Sequence, residues 1–186
     1  MQRAREGSER LGSILQAMGA ATRVEESIES AGRQRFDLAA LLQDACVAYR
    51  TAWPARRFAL EGAEPPCPMR GSPELVLQML DKLVDNAVDF SPEGSTIVLR
   101  LRADAALATL DVENDGPPLP ADPQRLFESL WQRRREGGET PHFGLGLYIV
   151  RLIADFHGGR AEAANRSDPA PGVRFSVTLA RDLAEA

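Results

Sequence analysis

Three places in this sequence set polar side chains or bare backbone where chemistry could be done. The first is "DKLVDNAVDFSP", residues 81–92. Leu75, Val76, Met79, Leu80, Leu83, Val84, Ala87 and Val88 form one broad apolar face at helical spacing, which leaves Gln78, Lys82, Asp85, Asn86 and Asp89 opposite. That polar face is either solvated or turned toward a ligand. The second place is Asn114, which shares strand parity with Ala108, Leu110 and Val112 and so ends a strand on its core-facing side. A buried amide without partners costs about 1 to 3 kcal/mol, so something polar should meet it. An adenine edge is the specific candidate, and an asparagine that merely begins the "NDGPP" turn is the alternative. The third is "FGLGLYIV", where Gly144 and Gly146 open a helix. Backbone amides free of side chains, at the positive end of a helix dipole, suit an anion, although many helices begin after glycine.

The elements that must position these groups follow from caps and periodicity. Ser72 with Pro73 behind it starts a helix that runs to Phe90 and stops at Ser91-Pro92. Upstream, Asp37 caps a helix reaching about Tyr49, and "RRFALEG" and "PCPMRG" read as two short strands. After the turn "PEGS", Ile97, Leu99 and Leu101 alternate with Val98, Arg100 and Arg102, and a second strand follows with Ala108, Leu110 and Val112 on one face, giving a hairpin. Residues 115–143 are long and irregular around an apolar island, "RLFESLW"; a loop of that length is usually functional or mobile. The helix that Gly144 opens carries Leu145, Tyr148, Ile149, Leu152, Ile153 and Phe156 and ends at Gly158-Gly159. "RAEAAN" and "GVRFSVTLA" are the last strands, the latter with Val173, Phe175, Val177 and Leu179 on one side. At the other end, Leu11, Ile14, Leu15, Met18, Ala21 and Ile28 make a helical stripe, and "ESAGRQRFDL" reads as a polar connection. The stripe is expected to face a partner rather than its own domain's core.

Composition bounds the rest. With 186 residues and 44% hydrophobic content, the chain supports one core of ordinary size and an appendage. A net charge of −5 argues against tight, sequence-independent binding to nucleic acid. Cys46 and Cys67 match no metal-ligand spacing and are expected to be reduced thiols of a cytosolic protein. No apolar run is long enough to span a bilayer and the N-terminus lacks a signal-peptide core, so no membrane contact is expected within the chain.

Taken in order, an Asn-bearing helix, a strand ending in N-x-G, a long loop and G-L-G-L opening a helix resemble the ATP-binding domain of sensor histidine kinases. That superfamily includes gyrase-type topoisomerases and MutL-like ATPases. The match covers residues 36 to 181: "LVLQMLDKLVDNAVDFSP" looks like the N box, "VENDGPPLP" the first glycine box, "LFESLW" the phenylalanine box and "GLGLYIVRLIADFHGG" the second glycine box. "RLGSILQAMGAATRVEESIE" with "FDLAALLQDAC" is similar to the second dimerisation helix and its junction. The resemblance implies a two-layer α/β sandwich, with a mixed, mostly antiparallel sheet against three helices and a helical segment before it. It divides the chain into a partial dimerisation helix and linker, 1–35, and an ATP-binding catalytic domain, 36–186.

It also implies roles. Asn86 would ligate Mg2+, Asn114 would stand at the adenine-reading position, Gly116 would let the base approach, and Gly144 and Gly146 would cradle phosphates. Asp89, Phe90, Leu119, Phe127, Leu145 and Leu147 would complete the nucleotide site. Lys82 would share the catalytic part through a phosphate contact, or would pair with Asp85 or Asp89. The implied cofactors are ATP and Mg2+. The implied partners are histidine-bearing dimerisation helices, a response regulator receiver domain and a second copy through the N-terminal helix. The domain would work in the cytoplasm, with an inner-membrane anchor open for the natural full-length protein.

Departures temper the match. Asn114 replaces the family's usual aspartate and keeps an acceptor while losing charge. Lys82 replaces a common asparagine, Asp89 a common basic residue, and Pro118 stands where glycine is frequent. Hydrolytic relatives carry a glutamate base one turn before the metal-binding Asn; here that place is Lys82, which cannot act as a base at neutral pH, so an ATPase is the weaker reading. Neither histidine fits a phosphoacceptor: His142 lies at the loop's end, and His157 reads as a C-terminal helix residue favoured by the dipole. The phosphorylated histidine must therefore come from elsewhere, and a non-catalytic nucleotide sensor is the rival. "RRR" at 133–135 is a solvated loop or an anion patch.

Overall fold

The computed structural model describes residues 19, 22–128, 145–168 and 170–181. The elements in order are α1 (residues 22–30), β1 (Gln34–Asp37), α2 (Leu38–Ala52), β2 (Arg57–Glu61), β3 (Pro68–Gly71), α3 (Pro73–Phe90), β4 (Thr96–Ala103) and β5 (Leu107–Asp115). A 3-10 turn (Pro123–Phe127), α4 (Gly146–Phe156), β6 (Arg160–Arg166) and β7 (Gly172–Ala180) follow. Five strands form one sheet in the order β2-β4-β5-β7-β6, parallel only between β2 and β4. The helices lie on one face of it, which gives the expected mixed, mostly antiparallel two-layer α/β sandwich.

Caps start α2 and α3 at the residues expected from sequence, whereas α4 begins at Gly146, two residues after the Gly144 expected to open it. Asp37 Oδ1 accepts from the Ala39 amide at 2.9 Å and from the Cys67 amide at 2.8 Å, so one carboxylate both caps α2 and ties it to the chain entering β3. Ser72 Oγ accepts from the Leu75 amide at 3.3 Å, with Pro73 in the first turn, and starts α3. At the other end, the Arg56 guanidinium donates to the carbonyls of Val88 and Ser91, supplying positive charge and donors where α3 runs out of amides.

The core lies between α3 and the inner face of the sheet. Leu75, Val76, Met79, Leu80, Leu83, Val84 and Ala87 are buried against Ile97, Leu99, Leu110, Val112, Val173, Phe175, Val177 and Leu179. Tyr49 anchors α2 beside α3: its hydroxyl donates to Asp81 at 2.7 Å, and burial, then that carboxylate, push the phenol above its ordinary range. The outer face of the sheet is charged, but its charges are paired. Glu113 accepts from Arg100 at 2.7 Å and Arg174 at 2.9 Å, and Asp111 from Arg102 and Ser176, each at 2.6 Å.

Three features differ from the sequence reading. The connection "ESAGRQRFDL" contains β1, which pairs antiparallel with β3 in a separate two-stranded ribbon. The described part of the N-terminal helix packs on this same domain instead of standing away for a partner. Val24 is buried, Tyr148 donates to Glu25 at 3.1 Å, and Arg33 lies 4.8 Å over the Phe156 ring while donating to the Phe156 carbonyl. The stripe residues Leu11 to Met18 and Ala21 fall outside the described residues. His157 does end α4, but as a buried neutral ring rather than a dipole-stabilised cation: desolvation lowers its pKa. Among the described residues, no helix is long and apolar enough to cross a membrane.

Candidate functional site

Helix α3 turns its apolar face to the sheet, so the residues on its flank emerge at the open edge between α3 and α4. Asn86 and Phe90, one turn apart, line a cleft there with Gly116, Pro117, Leu119, Leu126, Leu147, Val173 and Phe175. The cleft opens to solvent, and the space between its walls and mouth is roughly 420 Å3. Its walls are mostly apolar and Asn86 is the polar side chain among them, a surface suited to a flat ring with one polar contact at its edge.

Behind this lining sits Asn114, fully covered, opposite Val173 in the β5–β7 register. Its Nδ2 donates to the Asp115 carbonyl at 2.8 Å, while Oδ1 is buried and has no hydrogen-bond partner among the described residues. The turn alternative is therefore set aside: the residue is the penultimate one of β5 and carries an unsatisfied acceptor. Gly116 is required at its place. A Cβ there would come 2.9 Å from the Phe90 carbonyl oxygen and 3.2 Å from Asn114 Nδ2, so any side chain would wedge the end of β5 away from α3.

The other end of the cleft is the start of α4. Leu145 caps the helix without a side-chain hydrogen bond, and the first intrahelical bond runs from the Ile149 amide to the Leu145 carbonyl at 2.9 Å. The amides of residues 146 to 148 precede that bond and point out of the helix end. Lys82 packs beside them, its Cδ 3.8 Å from where a Gly146 Cβ would be, and its Nζ is 3.6 Å from Asp85. The ion pair is half exposed and contributes little to stability. Asp85 itself is held above the usual carboxylate range, first by burial and then by Asp81 and Asp89, with Lys82 opposing.

Of the residues singled out in the sequence, Asn86, Phe90, Gly116, Leu119 and Leu147 meet on the cleft wall. Asn114 lies just beneath it, and Lys82 and Gly146 lie together at its end. Phe127 is buried edge-to-face against Phe175, 6.3 Å between centroids, and so supports the wall from behind; Leu145 is buried at the N-cap of α4, outside the lining. Asp89 is half-buried on α3, outside the lining. Gly144, His142 and the arginines at 133–135 lie outside the described residues. The lining also includes Pro117, Leu126, Val173 and Phe175, which the sequence reading assigned to a turn, a loop island and a core strand. Only the cross-strand register, with Val173 opposite Asn114, would have brought the last two to the site.

Among the described residues, no group of three His, Cys, Asp or Glu side chains is placed to hold a metal ion. A cation here would have Asn86 as its protein ligand and phosphate oxygens for the rest, the usual manner of Mg2+ carried in with a nucleotide. Cys46 and Cys67 are both free and buried, on the far elements α2 and the approach to β3.

Residues 71–183 match the family model described as histidine kinase-, DNA gyrase B- and HSP90-like ATPase. The chain belongs to this family. Its relatives place it in the histidine kinase branch. Sensor histidine kinase CusS of Escherichia coli K12 is 37% identical over 118 residues, covering 61% of this chain and 23% of CusS. The sensor protein ChvG of Rhizobium meliloti is 29% identical over 184 residues, 91% of this chain and 32% of ChvG. The histidine kinase domain described here thus spans less than a third of either relative. Among solved structures, the nucleotide-free catalytic domain of histidine kinase ThkA superposes with a TM-score of 0.70 at 25% identity, covering 81% of this chain and 98% of that one. The cleft between α3 and α4 belongs to the ATP-binding catalytic domain of a sensor histidine kinase.

Proposed function

We propose that this domain binds Mg-ATP in the α3–α4 cleft and transfers the γ-phosphate to a histidine on a dimerisation module outside the chain, which a response regulator receiver domain then relieves of its phosphoryl group. The observation that carries the reading is the buried, unpartnered Oδ1 of Asn114 directly behind an apolar cleft that also exposes Asn86. An adenine inserted past Gly116 would bring an N–H to that oxygen and lay its faces against Phe90, Leu119 and Val173. The triphosphate would then run toward Asn86, Lys82 and the amides that open α4.

Phosphoryl transfer needs little covalent help from protein; it needs charge neutralised and the acceptor held in line. Bound Mg2+ would neutralise phosphate charge, with Asn86 as its ligand. Lys82 would exchange its half-exposed Asp85 for phosphate oxygens. The cation at 82 also argues against hydrolysis, since a water-activating carboxylate is needed at that place and a lysine cannot provide it. The domain works on the cytoplasmic side, where ATP is.

Mixing the chain with Mg-ATP and a separately expressed helical hairpin that bears a phosphoacceptor histidine tests this. Labelled phosphohistidine is expected, and Asn86→Ala should reduce it at least 100-fold while leaving the melting temperature within a few degrees. Binding without label would favour a nucleotide sensor, and steady phosphate release an ATPase.

A further inference from the structure

The two ends of the Asn114 amide are not equivalent: Oδ1 is buried without a hydrogen-bond partner among the described residues, and the other end is taken. Its Nδ2 is engaged by the Asp115 carbonyl at 2.8 Å. Turning the amide over would bring Oδ1 to that carbonyl, two acceptors at hydrogen-bond separation, losing one bond and adding repulsion. Asp115 is itself fastened. Arg166, whose side chain is 7% exposed, donates through Nη2 to Asp115 Oδ1 and through Nη1 to the Ala170 carbonyl at 3.0 Å. The guanidinium lies across Gly172, the cross-strand neighbour of both Asp115 and Arg166. A Cβ at Gly172 would meet Arg166 Nη2 at 3.0 Å and the Asn114 carbonyl at 2.4 Å. A nearly buried arginine on β6 therefore clamps the end of β5, and the end of β5 orients the amide.

We propose that Arg166 and Asp115 are a positioning pair that locks the Asn114 amide with its oxygen as the unspent end, so that the pocket takes purines bearing a 6-amino group and rejects those bearing a 6-oxo group. The proposal rests on the cleft being a purine nucleotide site. A 6-amino group donates to Oδ1. A 6-oxo group faces it acceptor to acceptor, and the tie from Nδ2 to the Asp115 carbonyl keeps the amide from turning over to repair the mismatch. The selectivity works without a charge on the reading residue. Its magnitude is that of one buried hydrogen bond made or missed, on the order of 10- to 100-fold.

Calorimetric titration of the whole chain with Mg-ADP and with Mg-IDP, which differ only at C6 and the N1 proton, reads the ratio directly. The wild type should bind ADP about 10- to 100-fold tighter than IDP. Arg166→Gln should narrow that ratio to within a few-fold, because freeing Asp115 lets the amide turn over. Arg166→Lys, which can still hold Asp115, should recover part of it. A purely structural lesion would weaken both nucleotides alike and leave the ratio intact, so an unchanged ratio in Arg166→Gln overturns the locking. Should that variant fail to fold by circular dichroism, Asp115→Ala removes the same tie while keeping the backbone carbonyl. Equal binding of ADP and IDP by the wild type would overturn the proposal and leave the nucleotide site standing. Binding of neither would overturn the nucleotide site itself.

Discussion

At the residue scale, two glycines of the site do different work, and the difference can be measured. Gly116 is sterically obliged: a methyl group would sit 2.9 Å from the Phe90 carbonyl oxygen, so Gly116→Ala should cost about 1 to 3 kcal/mol of stability in urea denaturation as well as nucleotide affinity. Gly146 is not, since its nearest neighbours would be Lys82 Cδ and Cβ at 3.8 and 4.0 Å, ordinary contact distances. Gly146→Ala should therefore fold with a melting temperature equal to or slightly above the wild type while binding Mg-ATP at least several-fold more weakly, because the methyl occupies space reserved for phosphate. If affinity is untouched, the start of α4 is not a phosphate cradle. Both glycines were legible as site residues because each stands in a recognisable box. The distinction between them was not, since it depends on which carbonyl of α3 lies across from β5.

At the scale of elements, His157 joins two helices that the sequence treats separately. Its Nδ1 lies 2.8 Å from the Ile153 carbonyl and donates to it, and its Nε2 accepts from the Ser72 amide at 3.1 Å. The ring thus closes the C-terminus of α4 onto the N-cap of α3. Gly71 has no room for a side chain because the ring occupies it, 2.4 Å from the would-be Cβ. Burial, and then Arg33, keep the histidine neutral, so its pKa lies below the ordinary 6.5 while the unfolded chain titrates there. The unfolded state consequently binds more protons once pH drops below about 6.5, and the stabilisation present above that value is lost as pH falls. Melting temperature should fall between pH 7 and pH 5 in the wild type, with that slope flattened in His157→Gln, whose amide can make both contacts without titrating. An equal slope in the variant would place the acid sensitivity elsewhere. The helix starts and the hairpin were readable because caps and alternation are local signals. Strand β1 was not, since "QRFD" has no alternating pattern and exists only because β3 lies beside it.

For the whole molecule, the decisive asymmetry is that one sheet face carries the core and the other carries charge. The parallel placement of β2 beside β4, with β1 and β3 set apart as a ribbon, has no local signature, because it follows from where α2 and α3 come to rest on the sheet. The outer face could be read as polar from the alternation in β4, but not that its charges interlock. Glu113, 5% exposed, holds Arg100 and Arg174 and lies 3.9 Å from Arg166, so a single carboxylate gathers guanidiniums from β4, β6 and β7. Removing it leaves cations facing one another, and the desolvation already spent on the carboxylate's neighbours is no longer offset. Arg100 and Arg174 are about a third exposed, and solvent softens the loss. Glu113→Ala should therefore cost about 1 to 3 kcal/mol in urea denaturation, with part of it recovered by raising salt as the like charges are screened. Arg166 sits in the same network and also clamps Asp115, so the charged face and the base pocket share a component on opposite sides of the sheet. Glu113→Ala should then weaken Mg-ADP binding measurably although Glu113 lies on the face away from the cleft. A variant that loses stability but keeps full affinity would show that the two faces of the sheet are independent.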